Sequence, residues 1–276
     1  MNVLTSRVRS RSVLSGLVIA VLFSISTFAN ATMLRVTVTN NAQANGLAFT
    51  PLYTAFHGAS FDAFDVGGTA SAGLEALAEL GQAMPIAGER LTVDPSSLGG
   101  VIFPDAGMRP LFGGESGSLD INITDPASNM FFTFLSMILP SNDTFFGRDD
   151  AIQLFDAAGN YLGDRVIAVT GADLWDAGTE ALDVDAAPFI PGNTATDSPA
   201  DTSTSIRAAE SLAAFAGLTL ANGRVLDASL IDFLSNPDAF DVATITIEEI
   251  TAEVSAPSAI ALFALAIAGI AVRRKA

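Results

Sequence analysis

The chain has 276 residues, 50% of them hydrophobic and 16% charged, with 13 Lys+Arg against 30 Asp+Glu, one His and no Cys, for a formal net charge of −17. A disulfide framework, a thiolate metal site and a Cys nucleophile are therefore excluded, and His57 alone cannot build a multi-His zinc centre. So acidic a chain also lacks the Lys and Arg that neutralise phosphates, which excludes a nucleic-acid binder.

Arg7, Arg9 and Arg11 precede a nearly unbroken apolar run from Val13 to Phe23, and Ala29-Asn30-Ala31 offers a small-x-small cleavage pattern. This predicts a secretory signal peptide over residues 1–31, with an uncleaved membrane anchor as the competing expectation. Leu34, Val36 and Val38 then alternate with Arg35, Thr37 and Thr39, the period of a strand with one buried and one solvated face. Leu47–His57 is apolar on both faces and predicts a central strand. Ser71 is placed to cap a helix in which Leu74, Leu77 and Ala78 share one face and Gly81 marks the end.

Ile121 and Ile123 alternate with Asp120, Asn122 and Thr124, and Phe131–Leu139 is a second run apolar on both faces. Ile152–Phe155 and Val166–Val169 flank the turn-forming stretch Asp156 to Asn160, where Gly159 is available for positive φ, and predict a hairpin. Pro191 to Ser205 reads as a loop or insertion, and Ile206–Ala216 as a second, weaker helix ended by Gly217. Ile245 and Ile247 alternate with Thr244, Thr246 and Glu248 in a last strand. No internal repeat suggests a solenoid or propeller. The body, residues 32–253, is long enough for one well-buried core. The fold class expected is all-β: an antiparallel β-sandwich with one or two short helices.

Residues 254–276 form a tail. Val254-Ser255-Ala256-Pro257-Ser258 leads into a wholly apolar run from Ala259 to Val272, followed by Arg273, Arg274 and Lys275. Fourteen helical residues rise about 21 Å, short of the roughly 30 Å hydrocarbon core, so a transmembrane span is marginal. The basic cluster would stay cytoplasmic, leaving the body outside. The order of a Pro-containing motif, an apolar helix and a basic end resembles the PEP-CTERM sorting tail of Gram-negative bacteria, although Pro-Glu-Pro is replaced here. That resemblance implies transient membrane insertion, recognition by a sorting protease at the inner membrane, and display at the cell surface or release. A permanent single-span anchor is the alternative. Six of the 13 basic residues and none of the acids lie in the two ends, so residues 32–253 keep seven Arg, no Lys and 30 acids, a net of −23. Such a surface repels anionic polymers and membranes unless divalent cations intervene.

The candidate chemistry lies between 135 and 180. Asp143 stands at the exit of the Phe131–Leu139 strand after Pro140, and Asp176 and Glu180 flank Gly178 about thirty residues later. If the two turns return to one edge of the sandwich, three carboxylates repel one another unless a cation sits among them. Ca²⁺, with six to eight hard oxygen ligands in flexible geometry, suits that set better than Mg²⁺. The bland alternative is that Asp143 and Asp176 are turn residues. His57, next to Gly58, is expected to be structural. Enzymatic patterns are poor: Gly114 to Ser118 lacks the final Gly of a nucleophile elbow, and the stretch from Asp183 lacks the Gly and closing Glu of an EF-hand loop. Loop carboxylates serving a carbohydrate-binding or carbohydrate-active protein stay open as an alternative.

At Ser136-Met137-Ile138-Leu139-Pro140-Ser141-Asn142-Asp143 and Trp175-Asp176-Ala177-Gly178-Thr179-Glu180 the chain resembles the N-terminal domain of the spondins. Phe49-Thr50-Pro51, Ala55-Phe56-His57 and Gly73 to Gly81 extend the likeness. The resemblance implies an antiparallel sandwich similar to calcium-dependent lipid-binding domains, and a calcium ion held by Asp143, Asp176 and Glu180, the last standing where the family pattern has Asp. It further implies a non-catalytic role in extracellular adhesion, with matrix or exopolysaccharide components as partners.

Overall fold

A computed structural model of the protein describes residues 31–193 and 204–250. The expected signal peptide, apart from its last residue, the sorting tail and most of the 191–205 loop lie outside the described residues. No helix among the described residues is long and apolar enough to cross a membrane.

The chain runs through β1 (Thr32–Asn40), β2 (Ala48–Phe49), β3 (Leu52–His57), α1 (Ala72–Leu80), α2 (Ala83–Val93), β4 (Leu98–Ile102) and β5 (Ser116–Ile123). It continues through β6 (Phe131–Leu139), β7 (Thr144–Gly147), β8 (Ile152–Gln153), β9 (Arg165–Thr170), β10 (Leu174–Asp176), β11 (Arg207–Ala208) and β12 (Asp241–Glu249). One sheet has the order β5-β1-β12-β9, and the other runs β11-β10-β7-β6-β3-β4, with β2 and β8 also paired to β6. The two sheets make the all-β sandwich that the alternating patterns predict, and two helices are added to it. Val36 lies opposite Ile247 and Val38 opposite Ile245, and the Ile250 N–H donates to the Met33 carbonyl at 2.8 Å. The chain therefore enters and leaves the sandwich at one end.

Two cores explain the two kinds of strand. Leu34, Val36, Val38, Ile245 and Ile247 of the first sheet meet Phe56, Phe132, Phe134 and Phe146 of the second, and the outer face of the first sheet is solvated. The second sheet is covered on both faces. On its far side Leu74, Leu77 and Ala78 of α1 and Ile86 of α2 pack on Tyr53, Ala55, Leu135 and Phe145. Each large side chain so buried contributes about 1.5–3 kcal/mol, which is why β3 and β6 carry no polar face. Ser71 caps α1, accepting from the Leu74 N–H at 3.1 Å, and Gly81 ends it at φ +66°.

Two expectations are corrected. The turn at Asp156 to Asn160 forms, with the Asp156 carboxylate accepting from the Ala158 and Asn160 N–H groups at 2.9 Å. Its arms, however, are one bridge long, Phe155 to Tyr161. Beyond it β8 stays with β6, whereas β9 crosses to β12 in the other sheet. Ile167 and Val169 are buried while Val166 and Ala168 are exposed, the pattern of a one-sided sheet, so β9 completes that sheet's edge. The segment Ile206–Ala216 is not a helix. It holds β11 and a short 3-10 turn, Ala213–Phe215. Ile206 is buried and exchanges backbone hydrogen bonds of 2.8 Å with Gly67 and Gly68, and that tertiary pairing outweighs a weak helical period.

Candidate metal centre

β6 carries the chain to the rim of the sandwich. The Leu139–Pro140 peptide is cis, and Ser141 ties the turn: its Oγ donates to the Ile138 carbonyl at 2.7 Å and accepts from the Thr144 N–H at 3.1 Å. Asp143 is thereby fixed one residue ahead of β7, with no exposed surface. β7 pairs with β10 so that Thr144 faces Asp176, and the Ala177 N–H donates to the Asp143 carbonyl at 3.2 Å. Two turns thirty residues apart in sequence are side by side in space.

Asp176, also buried, is held at both oxygens. Oδ1 accepts from the Gly178 N–H at 2.7 Å, and Oδ2 accepts from Arg207 Nη2 on the adjoining β11 at 2.8 Å. Gly178 makes that loop possible twice over. Its φ is +69°, and a Cβ there would lie 2.5 Å from the Ser205 carbonyl oxygen and 2.7 Å from its nitrogen. Asn142 secures the third carboxylate: its Nδ2 donates to Glu180 Oε2 at 3.1 Å and to the Ala181 carbonyl at 2.8 Å, and its Oδ1 accepts from the Asp183 N–H at 3.2 Å. Trp175 is a packing residue, lying against Phe64 with its indole N–H on the Gly147 carbonyl at 2.9 Å.

Asp143 differs from its neighbours. Neither of its carboxylate oxygens accepts a well-formed hydrogen bond, and the buried Thr179 hydroxyl oxygen is equally unpartnered. Burial and then the Asp176 charge push the Asp143 carboxyl up to about 8, against the pull of the Glu180 backbone N–H and the Arg207 guanidinium. Three carboxylates and one guanidinium leave an excess of two negative charges. A proton on Asp143 relieves part of that excess; a divalent cation removes it all.

The Asp143 and Asp176 carboxylates and the Thr179 hydroxyl are hard oxygens, the donor type such an ion takes, with the Arg207 guanidinium beside them. They do not form a ready-made cage: among the described residues no three His, Cys, Asp or Glu side chains converge on one point. Asp143 lies beside Asp176, while the Glu180 carboxylate is held by Asn142. Asn142, Thr179 and Arg207 are the members of this centre that the sequence alone does not single out. Arg207 had one signal, as the only basic residue between 166 and 223 of an acidic body. His57 lies outside the centre, with both ring nitrogens engaged. Its Nδ1–H donates to the Gly58 carbonyl at 2.7 Å, and Nε2 accepts from the Thr133 hydroxyl at 2.8 Å.

An antiparallel sandwich with acidic turns gathered at one rim defines the class of this molecule. Its affiliation is more specific: the chain belongs to the Spondin_N family, which it matches over residues 39–214, a span that takes in both turns. Spondin_N is an extracellular-matrix type of domain, and membership fits an extracellular or secreted protein. No curated protein matches the chain.

Proposed function

We propose that the chain is an exported, non-catalytic adhesion or matrix module that holds a calcium ion at the rim formed by Asp143, Asp176 and Glu180. One observation carries this: a fully buried Asp143 carboxylate that accepts no well-formed hydrogen bond on either oxygen, beside a second buried carboxylate. An uncompensated charge in that position costs several kcal/mol. The Asp143, Asp176 and Glu180 carboxylates and the Thr179 hydroxyl would hold the ion. Calcium, when bound, supplies fixed positive charge that ties the two turns together. Arg207 then neutralises the remaining negative charge on the far side of Asp176. With a net of −23 on residues 32–253, contact with an anionic exopolymer also needs divalent cations as bridges. The segments 1–31 and 254–276 supply the export signal and the sorting tail in this proposal, and the mass of the secreted product tests both.

The decisive experiment is thermal unfolding in millimolar calcium against chelator. A ligand at 100 times its Kd adds about 2.7 kcal/mol to stability. The midpoint should rise with calcium in the wild type and stay fixed in Asp143→Asn. A wild-type midpoint indifferent to calcium overturns the proposal.

A further inference from the structure

We propose that the cleft between α2 and the edge strand β4 binds a small aliphatic carboxylate, with the anionic head on Arg90 and the apolar body against Met84, Leu91 and Val101. Arg90 comes off the inner face of α2 and is only 5% exposed. Its Nε donates to the Tyr53 hydroxyl at 3.0 Å, and Nη1 donates to Ser97 Oγ. Nη2 donates to no acceptor among the described residues, and it lies 3.3 Å from where a Cβ on Gly99 would be. Arg90 and Gly99 both line the cleft, which places the Nη2 end of the guanidinium at its wall.

A guanidinium cannot shed its charge in a protein. A buried one needs a counter-ion, yet no carboxylate lies within ion-pair distance of Arg90 among the described residues. The two acids flanking it in sequence are engaged elsewhere. Glu89 accepts from the Gly73 N–H and the Ser71 hydroxyl, each at 2.6 Å, at the start of α1. Asp94 accepts from the Gly58 N–H and the Ser96 hydroxyl, each at 2.8 Å. No ion pair among the described residues therefore neutralises the Arg90 charge at the cleft.

The rest of the cleft is apolar. Met84, Ala87 and Leu91 form one wall and Val101 the other, over Gly99 and Gly100, which leave the floor bare of side chains. Met84 and Leu91 are 75% and 46% exposed. The volume is about 180 Å³. A cavity of about 150 Å³ takes a benzene, so one six-carbon chain with its head group fills this one. A wholly apolar ligand would leave Nη2 unpaired and a bare inorganic anion would leave the walls wet; only a molecule with both parts satisfies the site.

The test is titration of the full chain with hexanoate in chelator, followed by backbone amide NMR, so that the calcium proposal plays no part in the outcome. Saturable shifts at Ala87, Gly99 and Gly100 are expected, with hexanamide and acetate each weaker by about tenfold or more. Arg90→Gln should abolish binding. Because that change also removes partners from Tyr53 and Ser97, Met84→Asp is the independent variant: the side chain is exposed, so folding is preserved, while the added negative charge should weaken hexanoate by about fivefold or more. No saturable shift up to about 10 mM, hexanamide binding as tightly as hexanoate, or an unaltered affinity in Met84→Asp would each overturn the proposal.

Discussion

His57 and Asp143 are both buried titratable side chains at strand ends of the same sheet, and the fold treats them in opposite ways. His57 has both ring nitrogens engaged: one donates to Gly58, the other accepts from Thr133, and Phe61 packs edge-on with ring centroids 5.0 Å apart. Burial lowers its pKa against the raising influence of the Gly58 hydrogen bond and Asp94, so the neutral ring is the stable form. Asp143 has no such closure, and its charge is left to a proton or a cation. Burial alone does not mark a functional group. Burial without satisfaction does.

The contrast breaks first at the turn that puts the second carboxylate beside Asp143. Gly178→Ala places a side chain in left-handed backbone and against the Ser205 main chain, for a loss of about 3 kcal/mol. Denaturant unfolding measures it, and an alanine variant as stable as the wild type would remove Gly178 as the reason the turns meet. Next in size is Asp143→Asn in chelator. Removing a buried, repelled carboxylate should stabilise the chain by on the order of 2 kcal/mol while abolishing any calcium response. A destabilised variant would mean that the carboxylate is satisfied after all.

The sandwich was legible because its strands obey simple periods: Leu34, Val36 and Val38 show one-sided burial, and the unbroken run in β6 shows two-sided burial. α1 was legible through Ser71, Leu74, Leu77 and Gly81. α2 was not, because its buried face is Ala83, Ile86 and Arg90 while Met84, Leu91 and Val93 are exposed, the reverse of an amphipathic stripe. The missed helix and the unneutralised Arg90 are one fact seen twice. At the candidate metal centre the acids could be named from their positions after strands. Their restraints could not: Asn142 reaches Ala181 and Asp183, and Arg207 reaches Asp176, across spacings that no local pattern encodes.

Smaller effects sharpen the His57 half of the comparison. Thr133→Val keeps the shape but leaves the ring's Nε2 without a donor, for a loss of about 1 kcal/mol. A titration should show the same closure. The folded pKa of His57 lies below 6.5, so as pH falls through 6.5 the unfolded chain takes up a proton first. The His57 contribution is therefore complete above 6.5 and shrinks as pH falls toward the folded pKa. Stability of wild type and His57→Gln measured from pH 7.5 to 5 checks this: the wild type should lose more. Parallel curves would show that the ring protonates without penalty.

The smallest expected effect concerns a pair with better geometry than either buried centre. Arg35 grips Asp120 with two hydrogen bonds of 2.6 and 2.7 Å on the solvated face of the first sheet, with both side chains nearly half exposed. Shape alone would rank it above the contact between Arg207 and Asp176, joined at 2.8 Å. Water reverses the order. On the open face solvent screens the attraction, and holding two long side chains still offsets what remains. Asp120→Asn should leave the unfolding midpoint unchanged at physiological salt, whereas Asp176→Asn strips a buried charge from a centre that has a vacant carboxylate beside it. If Asp120→Asn proved as damaging as Asp176→Asn, exposure would not separate the two pairs, and solvent screening would not account for their ranking.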